Sequence, residues 1–127
     1  MRALRSAVAI HLALVVAQAV FAGQFLAGAD ASVVLHERVG QIAAAVALIQ
    51  IAISALRRIP ARTFVPFLVT SILVFLAEGL QIGTGYGRFL AVHVPLGVLI
   101  CGAVAAQLVW TFRWPVAADG QRSSKPR

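Results

Sequence analysis

A chain of 127 residues with 61% hydrophobic and 12% charged side chains carries about half the charge of a soluble domain, which excludes an ordinary water-soluble globule. The net charge of +7 does not make it a nucleic-acid binder, because the cations sit at the ends of apolar blocks and form no stripe with interleaved aromatics. A lone cysteine, Cys101, cannot form an internal disulfide and leaves the redox compartment unread.

Four apolar blocks reach the roughly 20 residues that a helix needs to cross the hydrocarbon core: 6–26, 33–56, 64–82 and 89–112. The first is preceded by MRALR and contains AQA, features of a signal peptide. Its apolar run nevertheless continues to Leu26, long enough to span, so it is read as a retained helix. His11 lies near its inner end with no partner opposite and reads as structural; Gln24 closes its outer end. The turn formers AGADAS follow. The second block opens on LHERVG, residues 35–40, which puts His36 and Gly40 on one helix face, one turn apart. Glu37 points about 100° away around that helix, Arg38 is turned off the same face, and Gln50 lies deeper. After RRIPAR, the third block carries Glu78, the only carboxylate well inside a predicted span. A charge at the centre of a bilayer costs on the order of 3 kcal/mol, less near the boundary. Glu78, about one turn from that boundary, is expected to be neutral, paired with Arg88 or engaged in proton movement, with structural pairing preferred. Gln81 ends this block, and GTGYGR forms the next connection. The fourth block opens on VHVPLG, residues 92–97, with His93 and Gly97 again four apart. Pro95 either kinks that helix or marks its first turn. Gln107 lies deeper, and residues 115–127, PVAADGQRSSKPR, read as a disordered tail.

Residues 1–114 therefore form one all-α domain, an integral membrane four-helix bundle. Arg2, Arg5, Arg57, Arg58, Arg62, Arg113, Arg122, Lys125 and Arg127 fall on one side of it, and Arg38 and Arg88 on the other. By the positive-inside rule both termini are cytoplasmic, in a bacterial plasma membrane, and the histidine motifs lie near the outer face. Shifting the chain by 57 residues superimposes the first block on the third and the second on the fourth without a gap. Gln24 falls on Gln81, Gly28 on Gly85, His36 on His93, Gly40 on Gly97 and Gln50 on Gln107. Polar residues at matched depth in a membrane usually have a reason. Tandem helix pairs in one orientation imply a pseudo-two-fold axis along the membrane normal, which sets His36 and His93 at equal depth.

Heme iron takes two axial ligands, commonly imidazoles, on opposite sides of its plane, and four-helix bundles build such sites from facing helices. Gly40 and Gly97 would leave room for a macrocycle edge. Gln24 and Gln81 would orient the histidine rings or bind propionates, with interhelical hydrogen bonding of about 0.6–2 kcal/mol as the equal alternative; Arg88 would reach a propionate or else snorkel to the interface. Gln50 and Gln107 read as helix-to-helix contacts. Zinc sites want three or four ligands, and no third ligand obviously converges.

The paired LHERVG and VHVPLG segments resemble one four-helix half of heme A synthase, where histidines of the second and fourth helices bind a b-type heme near the outer face. The chain also resembles, over nearly its whole length, a family of small four-helix membrane proteins of high-GC bacteria, which brings no chemistry with it. The first resemblance implies His36 and His93 as axial ligands of heme b. The chain departs from heme A synthase in having one half rather than two, and in placing Glu37 before Arg38 where that family commonly has an arginine directly after the histidine. Oxidation of a heme methyl group is accordingly not carried over. A b-type cytochrome-like role in electron transfer or heme handling is the leading expectation, with enzyme status open and leaning negative. The rival expectation is a cofactor-free subunit or assembly factor of a larger complex, packed through small-residue helix faces. Proton or solute transport by an oligomer is the weakest. A redox or membrane-complex partner and homo-oligomerisation stay open; nucleic acid is not expected.

Overall fold

The computed structural model describes residues 2–56 and 61–113, with side chains from Val65 onward in the third helix. It consists of four helices: α1 (Arg2–Leu26), α2 (Ser32–Ala55), α3 (Ala61–Tyr86) and α4 (Leu90–Arg113). Each is long and apolar enough to cross a membrane. Runs of Ala, Leu, Val and Ile with few competing side-chain donors leave the backbone little choice but to satisfy its own polar groups, which a helix does within one segment. Arg57, Arg58 and the segment 114–127, expected as a basic connection and a disordered tail, lie outside the described residues.

The helices form a closed ring in which α1 and α3 each pack against both α2 and α4. The α1/α3 and α2/α4 pairs therefore face each other diagonally. Leu4, Val8, Phe67 and Val104 form a fully buried apolar plug at the end where α1 begins, with Trp110 set edge-on to Phe67 at 5.9 Å. There Arg5 Nε donates to the Thr111 carbonyl at 3.1 Å, and its guanidinium lies 4.9 Å over the Phe112 ring. A cation at exposed C-terminal carbonyls is a favourable helix terminus, and here it fastens α1 to α4.

α1 and α3 end alike. In α1 the Gly28 amide donates to Phe25 O and the Ala29 amide to Gln24 O, with Gly28 at φ 95°. In α3 the Arg88 amide donates to Gly85 O and the Phe89 amide to Thr84 O, with Arg88 at φ 57°. Both are Schellman terminations, which need a left-handed residue and usually take glycine. The second uses arginine. Much of GTGYGR, expected as a loop, is thus helical through Tyr86. Thr84 lies buried there, its hydroxyl turned back onto the carbonyls of Leu80 and Gln81. Pro95 lies inside α4 rather than at its start.

Candidate functional site

Near the end opposite Arg5, His36 of α2 and His93 of α4 meet across the diagonal with ring centroids 5.9 Å apart and planes tilted by 59°. His36 Nδ1 donates to the Gln18 carbonyl at 3.0 Å, and His93 Nδ1 to the Gln81 carbonyl at 2.9 Å. Each imidazole is thus held by the backbone of a neighbouring helix through its Nδ1–H. In a neutral ring this leaves the lone pair on Nε2, and neither Nε2 makes a hydrogen bond among the described residues. Metal-binding histidines are oriented in this way, by an outer carbonyl on the other nitrogen.

Gln18, not Gln24, is the residue of α1 that serves His36. Its backbone oxygen holds the ring, while its side-chain Nε2 donates to the His36 carbonyl at 2.6 Å. Gln24 is exposed at the helix end, where it accepts from Ser32 Oγ at 3.1 Å. Gly40 and Gly97 do make room, but for these glutamines. A Cβ at Gly40 would stand 3.3 Å from Gln18 Oε1, and one at Gly97 would stand 2.9 Å from Gln81 Nε2. Gly85 lies against the His93 ring, 3.0 Å from Cε1 to a would-be Cβ, whereas Gly28, its partner in the 57-residue shift, only turns the chain. Arg88 is exposed in the α3–α4 connection, and no side-chain hydrogen bond or ion pair engages it among the described residues. Glu37 is not idle: it accepts from the Tyr86 hydroxyl, which also receives Gln41 Nε2 at 3.4 Å, and so joins α2 to α3.

A second polar layer lies deeper. His11, expected to have no partner, is fully buried, and its Nε2 is 2.6 Å from Glu78 Oε1. Arg88 is therefore not the partner of Glu78. Because α3 runs on to Tyr86, Glu78 sits eight residues inside the helix end, 86 minus 78, deeper than its distance from the apolar block's edge suggests. His11 Nδ1 faces Gln50 Oε1 at 3.3 Å. Gln50 Nε2 donates to Gln107 Oε1 at 2.9 Å and Ser71 Oγ at 3.1 Å. Gln107 Nε2 lies 3.3 Å from both Thr70 Oγ1 and Ser71 Oγ. Gln50 and Gln107, each expected as a helix-to-helix contact, bond to one another directly across the α2/α4 diagonal.

Hydrogen-bond directions in this layer are forced. Ser71 Oγ donates to Phe67 O at 2.9 Å, so it accepts from the glutamine amides. With both Nε2 hydrogens of Gln50 so used, its oxygen faces His11, and Nδ1 must donate. One proton then lies between His11 Nε2 and Glu78 Oε1, on either atom. Glu78 is only 5% exposed, and among the described residues its Oε2 has no partner; neither has Gln81 Oε1. Among the described residues no three His, Cys, Asp or Glu side chains gather closely enough to hold a metal ion.

No family model matches the chain, and no curated protein or solved structure matches it.

Proposed function

We propose that the chain is a multi-pass membrane protein that holds one heme b between α2 and α4, with His36 and His93 as its axial ligands. The observation that carries this is the imidazole pair. The two ring centroids lie 5.9 Å apart, a separation at which both side chains could hold one iron centre. Each ring is locked through Nδ1, as a ligating histidine should be. Heme held by these two histidines would supply one-electron exchange. Electron transfer or heme handling is the role that fits. Gln18 and Gln81 would set the ring orientations, and Arg88 would meet a propionate.

Membrane residence is supported by the inversion of the fold. Leu73, Val98 and Leu99 face outward, while His11, Gln50, Ser54, Ser71, Glu78 and Gln107 are buried. The charge asymmetry supports cytoplasmic termini in a bacterial plasma membrane. A tandem repeat is supported by His36/His93 and by the bonded pair Gln50/Gln107, 57 residues apart. Gln18 and Gln81 play the same part 63 apart, 81 minus 18, so the first half carries six additional residues between the glutamine and its histidine.

Absorbance of the purified protein tests the reading. A sharp Soret band, abolished by His36→Ala and by His93→Ala, is the expected result. A colourless, folded protein from heme-replete cells would favour the second reading, a cofactor-free subunit or assembly factor. One observation favours that alternative: Gly40 and Gly97 already have a use in seating glutamine side chains.

A further inference from the structure

We infer that the His11–Glu78 couple is a proton-binding site in the bundle interior, with Glu78 Oε2 as the accepting atom. The site is independent of what the His36–His93 pair holds.

Nδ1 of His11 must donate to Gln50, so the couple carries one proton between Nε2 and Oε1. Whether that proton resides on the imidazole or on the carboxyl, the pair as a whole is neutral, which is the state a low-dielectric interior favours. A purely structural pair would bind both carboxylate oxygens, since an unpaired buried acceptor costs free energy. Among the described residues, Oε2 is buried and bonded to nothing, and Gln81, one helical turn along the same face of α3, presents a second unbonded oxygen, Oε1. The couple can therefore take up a second proton at Oε2 without breaking any existing hydrogen bond. The product is an imidazolium beside a neutral carboxylic acid, with net charge +1.

The groups facing the couple do not compete for that proton. From α2 and α4 they are the amides of Gln50 and Gln107, and from α3 the hydroxyl of Ser71. His36 and His93 are engaged with backbone carbonyls near the far end of the bundle. Cys101 is half-buried on α4, and Arg5 is tied to Thr111 near the α1 start. Among the described residues no second carboxylate is buried.

Infrared difference spectra of the full-length protein in detergent, between alkaline and acid pH, test this in sodium and in choline buffers. The expected result is a reversible appearance or shift of the C=O stretch of one buried carboxylic acid on acidification, the same in both buffers. It should be lost in Glu78→Gln and moved, but kept, in Glu78→Asp. The exposed carboxyls titrate equally in all variants and cancel. If Glu78→Gln does not fold, the displacement of the band in Glu78→Asp decides alone. Identical wild-type and variant spectra would overturn the inference, and so would a band that follows sodium rather than pH. The outcome does not depend on protein colour, so it separates this site from the heme reading.

Discussion

The two polar layers of this bundle solve the same problem differently. In the outer layer each histidine rests on a backbone carbonyl of the adjacent helix, and its second nitrogen is left over. In the inner layer His11 uses both nitrogens, and hydrogen bonds run from side chain to side chain through Gln50, Ser71 and Gln107. What remains unbonded there is a carboxylate oxygen. Among the described residues the two layers differ in the atom that their neighbours leave alone: a ring nitrogen in one, a carboxyl oxygen in the other.

Substitutions should separate the layers. The largest expected effect is spectroscopic: His36→Ala or His93→Ala should remove all heme absorbance. Folding should suffer by only about 1 kcal/mol, the net worth of one hydrogen bond, as read by thermal unfolding of the colourless variant. His11→Ala should do the reverse, keeping the Soret band while costing about 1–3 kcal/mol of stability, because it leaves the buried Glu78 carboxyl without its partner. An unaltered melting temperature in that variant would show that the His11–Glu78 contact does not form. Gly97→Ala should cost about 1 kcal/mol, the low end of overpacking, since the atom 2.9 Å from its Cβ, Gln81 Nε2, is the end of a flexible side chain that can give way. Gly40→Ala, at 3.3 Å, should cost less. Equal penalties would mean that the two glutamine seats do not differ as drawn. The smallest effect is a gain: Arg88→Gly should stabilise by roughly 1 kcal/mol by removing a left-handed arginine, measured as a rise in melting temperature of the heme-free protein, where no propionate contact enters.

The four helices were legible in the chain because apolar length alone specifies them. The imidazole pair was legible because a 57-residue shift aligns α2 with α4 all the way from His36 to Gln107. Between α1 and α3 the glutamines that hold the two histidines are 63 apart, 81 minus 18, whereas a gapless comparison selects Gln24. The signal for Gln18 was present as a second glutamine on α1, but only a gap in the alignment would have brought it into register. His11 and Glu78 were each conspicuous as titratable groups in apolar runs. Joining them required knowing that α3 continues through a glycine-rich segment, which local sequence marks as a turn. Helix termination was misread there for a related reason: the left-handed position went to Arg88, while Gly85 went to packing against His93.

The hydroxyl of Ser71 has a reach beyond its size. By donating to the Phe67 carbonyl it turns both glutamine amides one way, and through Gln50 it dictates which nitrogen of His11 bears hydrogen. Thr70 does the same for Gln107, since its hydroxyl also donates to the Phe67 carbonyl and accepts from Gln107 Nε2. Ser71→Ala would therefore leave Gln107 Oε1 facing Gln50 Nε2. Two hydroxyls that never touch the histidine together govern which of its nitrogens bears hydrogen.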